Sequence, residues 1–106
     1  MLDEKLYLAP AFLRNGSRIL DIGTGTGIWA EEMGETREDC TVIGIDLSPI
    51  QPAWGLQNVM WQLDDVEDDW TYTQAFDFIH SRFMAGSIKN WHRLLSQCFE
   101  YVTRPL

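Results

Sequence analysis

Basic residues are scarce in this chain: Lys and Arg number 8 against 16 Asp and Glu, for a formal net charge of -8 and an isoelectric point near 4.5. Such a field repels phosphate backbones, so direct nucleic-acid binding is not expected, whereas a cationic ligand is attracted. Cysteine is scarce too. Cys40 and Cys98 stand far apart without a Cys-x-x-Cys spacing, and no paired histidines complete a zinc set, so two free thiols and no metal are expected. No stretch approaches the roughly 20 apolar residues of a membrane helix. The start, MLDEKLYLAP, carries acids where a secretory leader carries lysines. The chain therefore reads as intracellular, cytoplasmic or nuclear, with no membrane partner. Repeats, low-complexity tracts and linkers are also lacking. What is present suffices for one core: 106 residues, 45% hydrophobic and 12% aromatic with five tryptophans, expected to form a single domain over residues 1–106.

Short apolar runs alternate with helical patterns, which predicts an α/β fold. Residues 17–22, SRILDI, suit a buried parallel strand running into a glycine turn. Residues 27–33 bring Trp29 and Met33 together at i, i+4 on a helix, with Gly34 as its expected stop. TVIGI at 41–45 is the second strand, NVMWQL at 58–63 the third and FDFI at 76–79 the fourth, ending at His80. Pro49 and Pro52 remove two backbone donors within one helical turn, so a loop or short turn is expected over 48–52. From Asn90, the residues Trp91, Leu94, Leu95, Cys98, Phe99 and Val102 form one apolar stripe of an amphipathic helix. Right-handed crossovers then order the parallel strands 3-2-1-4, a doubly wound, Rossmann-like sheet with its reversal between strands 1 and 4. Ligands bind outside the carboxyl ends of strands at such a switch point. Asp21, Gly23, Asp46, Asp65 and His80 are expected to converge there.

The run Asp21, Ile22, Gly23, Thr24, Gly25, Thr26, Gly27 places glycine at alternate positions between a strand and a helix, where bare backbone admits a ligand. The dinucleotide fingerprint requires glycine at position 28, which is Ile28, so NAD is the less favoured ligand. Asp46 follows Gly23 by 23 residues, close to the spacing of an acid that accepts ribose hydroxyls. Asp64 and Asp65 close the third strand. A cleft of carboxylates suits a nucleoside with hydroxyls and a cationic tail rather than a pyrophosphate. Other chemistries fail on spacing: the acidic run from Asp64 has Asp69 and Ala75 where a calcium loop has glycine and glutamate, and Ser87 lacks the frame of a hydrolase elbow. Trp61 is expected to be buried and Trp91 to lie in the core, with Trp54 or Trp70 flanking the cleft.

These segments, LDIGTGTGIWA, VIGIDLSPIQP, WQLDDVEDDWTY and FDFIHSRFMAGSIKNW, resemble the class I S-adenosylmethionine-dependent methyltransferases, and within them the fungal LaeA-like group associated with regulation of secondary metabolism. The resemblance runs from Lys5 to Val102. It implies S-adenosylmethionine as the methyl donor, with Asp21 and the loop of Gly23, Thr24, Gly25 and Gly27 at its methionyl part. It further implies Asp46 at the ribose, Leu47 against the adenine face, and Asp64, Asp65 and the Val66 amide at the adenine edge. The acceptor, a small molecule or a protein, is not legible. Histidine is the side-chain type suited to proton exchange near neutral pH, so His80, also placed at the donor cleft, is the candidate proton acceptor, set against a role in fixing local structure. Ser81 and Arg82 share that ambiguity.

The resemblance also implies a sheet continuing past the last helix through a glycine turn. The chain reads TRPL there, so strands 5 to 7 are expected to be missing and strand 4 to be left as an exposed edge, open to self-association or to a protein partner. Two alternatives to an enzyme of this class follow: a truncated, non-catalytic binding or interaction remnant, and, more weakly, a NAD-binding oxidoreductase domain.

Overall fold

A computed structural model describes residues 5–8, 13–23, 27–47, 56–82 and 88–102, with residues 5–8 and 82 described by their backbone alone. The strands are β1 (Lys5–Leu8), β2 (Arg18–Ile22), β3 (Thr41–Asp46), β4 (Val59–Leu63) and β5 (Phe78–Arg82), with helices α1 (Ile28–Thr36) and α2 (Trp91–Tyr101). They form one sheet in the order β1-β5-β2-β3-β4. β4, β3, β2 and β5 are mutually parallel, which is the expected 3-2-1-4 arrangement with its switch point between β2 and β5. The sheet is Rossmann-like. The proline-rich turn over 48–52, Trp54 and Ser87 lie outside the described residues.

One expectation is overturned. The outer side of β5 is not an open edge, because β1 pairs with it antiparallel from Lys5↔Arg82 to Leu8↔Ile79. Self-association through that edge therefore loses its structural basis. The alternating KLYL segment, short and followed by Pro10, reads too weakly as a strand on its own and is extended by the ladder that β5 offers.

The parallel register sorts the side chains onto two faces. Leu20, Ile22, Ile43, Ile45 and Ile79 pack with Trp70, Phe76, Leu94 and Cys98 on the α2 side. Ile19, Val42 and Val59 pack with Ala30 and Cys40 on the α1 side. Both cysteines are free thiols and buried. Trp70 thus belongs to the core and not to the cleft rim, and Trp61 is half-buried, not buried. Within α2 the buried line is narrower than the sequence stripe: Phe99 is 65% exposed, because five residues beyond Leu94 is about 140° around a helix.

β5 begins two residues later than the apolar run suggests. Phe76 instead makes an isolated parallel bridge with Val102, its amide donating to the Tyr101 carbonyl, while the Asp77 carboxylate accepts the Arg18 amide at 2.8 Å. His80 consequently lies inside the strand, not at its end. α1 likewise runs through Gly34 to Thr36, where a stop was expected. Gly34 is there for close packing: a Cβ on it would stand 2.3 Å from Val59 Cγ2. The helix is closed by Asn58, just ahead of β4, whose side-chain amide donates to the carbonyls of Gly34, Arg37 and Cys40. Beside it, the Arg37 guanidinium first, then the Gly16 amide, hold the Asp39 carboxyl well below the usual carboxylate range.

Two outcomes follow. Gly34→Ala, which favours an exposed helix by about 1 kcal/mol, is expected here to destabilise by about 1–3 kcal/mol through overpacking. Adding Val59→Ala should cost less than the sum of the single changes, as read by denaturant unfolding. Burial raises the Cys98 thiol from 9.0 to about 12, and burial followed by the charge of Asp64 raises Tyr72 from 10.0 to about 12. Both groups are neutral in the fold and ionise first in the unfolded chain. Stability should be full below about pH 9 and decline as pH rises toward 12, with Cys98→Ala removing the earlier part of the decline.

Candidate functional site

The carboxyl ends of β2, β3 and β4 and the body of β5 assemble the candidate residues at one rim of the sheet. At the end of β2, Asp21 is only 2% exposed and Gly23 turns the chain with φ 67°. Gly27 ends the loop with φ 84° and its carbonyl starts α1, accepting the Glu31 amide at 2.9 Å. It also lies against the indole of Trp61, such that a Cβ would sit 2.6 Å from Trp61 Cη2. Glycine is thus required there twice over, by the left-handed backbone and by β4. Thr24 and Gly25 lie outside the described residues.

β3 carries Asp46, half-buried, and then Leu47, 68% exposed. The Asp64 amide donates to the Asp46 carbonyl at 3.0 Å, extending the β3–β4 ladder by one bond and bringing the acids beside each other. Asp64 Oδ1 then accepts the Asp65 amide and Asp65 Oδ1 the Glu67 amide, at 2.8 and 2.9 Å, so side chains shape this turn. Val66 packs against the α2-side core, and its carbonyl accepts the Trp70 indole N–H at 2.8 Å.

Sequence reasoning missed how this acidic loop is held. Three polar residues of α2, Arg93, Gln97 and Tyr101, recur every four positions, a spacing that lines one helix face. Arg93 donates to the Glu67 carbonyl and the Asp69 carboxylate. Gln97 accepts the Trp70 amide at 2.8 Å and donates to the Asp68 carbonyl, while Tyr101 donates to the Trp70 carbonyl. In return, the Glu67 carboxylate accepts the Lys89 and Asn90 amides just ahead of α2, and Asn90 caps the helix by accepting the Arg93 amide. Polar residues at i, i+4, i+8 beside an apolar stripe were the available signal.

His80 and Asp21 meet directly. Asp21 and His80 are register partners on adjacent parallel strands, and Nδ1 of the imidazole lies 2.8 Å from Asp21 Oδ1, both residues being buried. The imidazole is stacked on the Trp29 indole with centroids 3.8 Å apart and planes 3° from parallel. Trp29, read from the sequence only as an apolar helix residue, is thus the ceiling over this pair. Ser81, one residue on, is 1% exposed on the opposite face. No group of three or more metal-ligating side chains occurs among the described residues, and none of their helices is long and apolar enough to cross a membrane.

A family model described as a methyltransferase domain matches residues 1–104. The chain is 53% identical over 106 residues to methyltransferase pytC of Aspergillus terreus, an alignment covering 99% of this chain and 32% of that protein. It is 39% identical over 94 residues to the secondary metabolism regulator laeA of Monascus pilosus, covering 87% and 25%. It is 38% identical over 106 residues to the protein-methionine methyltransferase laeA of Emericella nidulans, covering 98% and 28%. The chain therefore spans between a quarter and a third of the length of these relatives.

Replacing Gln97 by Leu leaves the Trp70 amide and the Asp68 carbonyl without this partner. The expected cost is about 1–3 kcal/mol, with faster hydrogen exchange at the Trp70 amide than at the amides of β2 and β3.

Proposed function

The chain belongs to this family of methyltransferase domains, and on that footing we propose that it binds S-adenosylmethionine at the carboxyl rim of β2, β3 and β4 and supports transfer of the methyl group to an acceptor. The observation that carries this reading is the gathering of Asp21, Asp46, Asp64 and Asp65 at one sheet rim, around a left-handed glycine turn. A sulfonium with an ammonium group is attracted by such a rim in a chain of charge -8, whereas a dinucleotide pyrophosphate is not. Three strand ends supply acceptors at different heights, which suits a long ligand with amino-acid, ribose and base portions.

In this reading Asp21, with Gly23, Thr24, Gly25 and Gly27, receives the amino-acid end of the donor, and Asp46 accepts from the ribose hydroxyls. Leu47, largely exposed beside Asp46, offers an apolar surface to the adenine face. Asp64, Asp65 and the Val66 amide meet the adenine edge. When bound, the donor supplies an electrophilic methyl carbon, whose bond to sulfur breaks with both electrons kept by sulfur. The contribution of the chain is alignment: holding reactants in line is worth about 7–11 kcal/mol of barrier, and no covalent residue is required.

The acceptor of one relative, by its name, is a protein methionine. A thioether acceptor loses no proton on methylation, and an acceptor of that class would spare this chain a general base. Alcohols and amines lie within the same reading, with proton loss to solvent.

Calorimetric titration with S-adenosylhomocysteine and with NAD tests the proposal. Binding of the former alone is expected, and Asp46→Ala should weaken it about 10- to 100-fold, the worth of a hydrogen bond to a charged group. Binding of NAD instead, or an Asp46→Ala variant that binds as the wild type does, would overturn the assignment.

A further inference from the structure

We infer that His80 is a positioning residue for donor binding: through Nδ1 it fixes the Asp21 carboxylate, and so sets affinity for the amino-acid end of the donor. The inference rests on the placement of that end at Asp21 proposed above.

The geometry begins in the ladder. Parallel strands in register turn paired residues to the same face, and Asp21↔His80 is such a pair on β2 and β5. At 2.8 Å between Nδ1 and Oδ1, the two side chains share a hydrogen bond. An ionised carboxylate can only accept, so with Asp21 charged the proton lies on Nδ1. The ring has little freedom to turn away. Trp29 covers one face of it at 3.8 Å and 3°, and Phe78, two residues earlier on the same strand, braces Trp29 edge-on at 6.1 Å. Rotation of the imidazole would break the stack and the hydrogen bond together.

Burial makes the bond consequential. Asp21 and His80 are each 2% exposed, and a buried carboxylate without a donor is costly. An ion-paired or polar pair adds little stability over an apolar pair of similar shape. Its placement does carry meaning: Asp21 stands two residues before Gly23, where β2 gives way to the glycine turn. His80 therefore holds in one direction the carboxylate nearest that turn. With one face stacked on Trp29 and Nδ1 engaged by Asp21, the ring is placed to orient the carboxylate.

The test compares two probes on the wild-type chain and its variants: S-adenosylhomocysteine, and 5′-methylthioadenosine, which has the same thioadenosine but lacks the amino-acid end. His80→Phe is expected to weaken S-adenosylhomocysteine at least about 10-fold and leave methylthioadenosine within about twofold. His80→Asn, whose Nδ2 donates from nearly the position of Nδ1, should recover S-adenosylhomocysteine binding to within about threefold of wild type. Equal loss of both probes in His80→Phe, no loss of either, or no recovery in His80→Asn overturns the inference. Where His80→Phe does not fold, Trp29→Leu carries the same comparison, with an expected loss of about threefold for S-adenosylhomocysteine alone. A wild-type chain that binds neither probe overturns the donor-site reading itself, and is told apart by failing before any substitution is made.

Discussion

The parallel register of β5, β2, β3 and β4 is the constraint on which the rest of this molecule depends. It aligns His80, Asp21, Gly44 and Trp61 in a single row across four strands. Each member of the row has its use. His80 and Asp21 bond, Gly44 presents no side chain between its neighbours, and Trp61 reaches the loop glycine Gly27. A slip of one residue in β2 or β3 would turn Asp21 or Gly44 to the α2 side and put a core aliphatic, Leu20 or Ile22, Ile43 or Ile45, in its place. The hydrophobic faces that hold the register are thus also what brings the polar groups of the rim together.

A second polar system supports the other half of the rim. The loop after β4 has little apolar content of its own, yet its backbone is read at several points by α2, and Glu67 answers by holding the amides at the start of that helix. The exchange is reciprocal. It lets an acidic segment, which repels itself in solution, keep one shape at the place where the proposed adenine edge would lie. Asp64 and Asp65 then stand where the turn sets them, through bonds to the next amides along the chain.

Much of this architecture was legible because burial on both faces leaves continuous apolar runs: SRILDI and TVIGI read plainly as central parallel strands, and β2 and β3 lie within a residue of those bounds. The glycine turn after β2, and the place of Asp46 at the end of β3, were legible from residue type and order. The illegible parts have physical reasons. β1 is a short segment whose strand state depends on a partner far along the chain, so local propensity is weak there. Gly34 reads as a stop by itself and becomes a packing site only once Val59 is opposite. The Asp21–His80–Trp29 stack joins three elements, and no single segment carries its signal. Trp70 was misplaced for the same reason, since its burial comes from α2.

The pairing of β1 with β5 has a further meaning for how these strands come together. Lys5 finds its partner only at Arg82, so β1 cannot be seated until the segment that carries β5 has folded against β2. Until then it is a short apolar ribbon with open amides, while β2, β3 and β4 can already dock in sequence around α1. Its closure carries the largest loop entropy of any contact in the sheet, and the opposing strand includes the histidine that steadies Asp21. Seating of β1 and settling of the rim are in this sense tied to the same strand, β5.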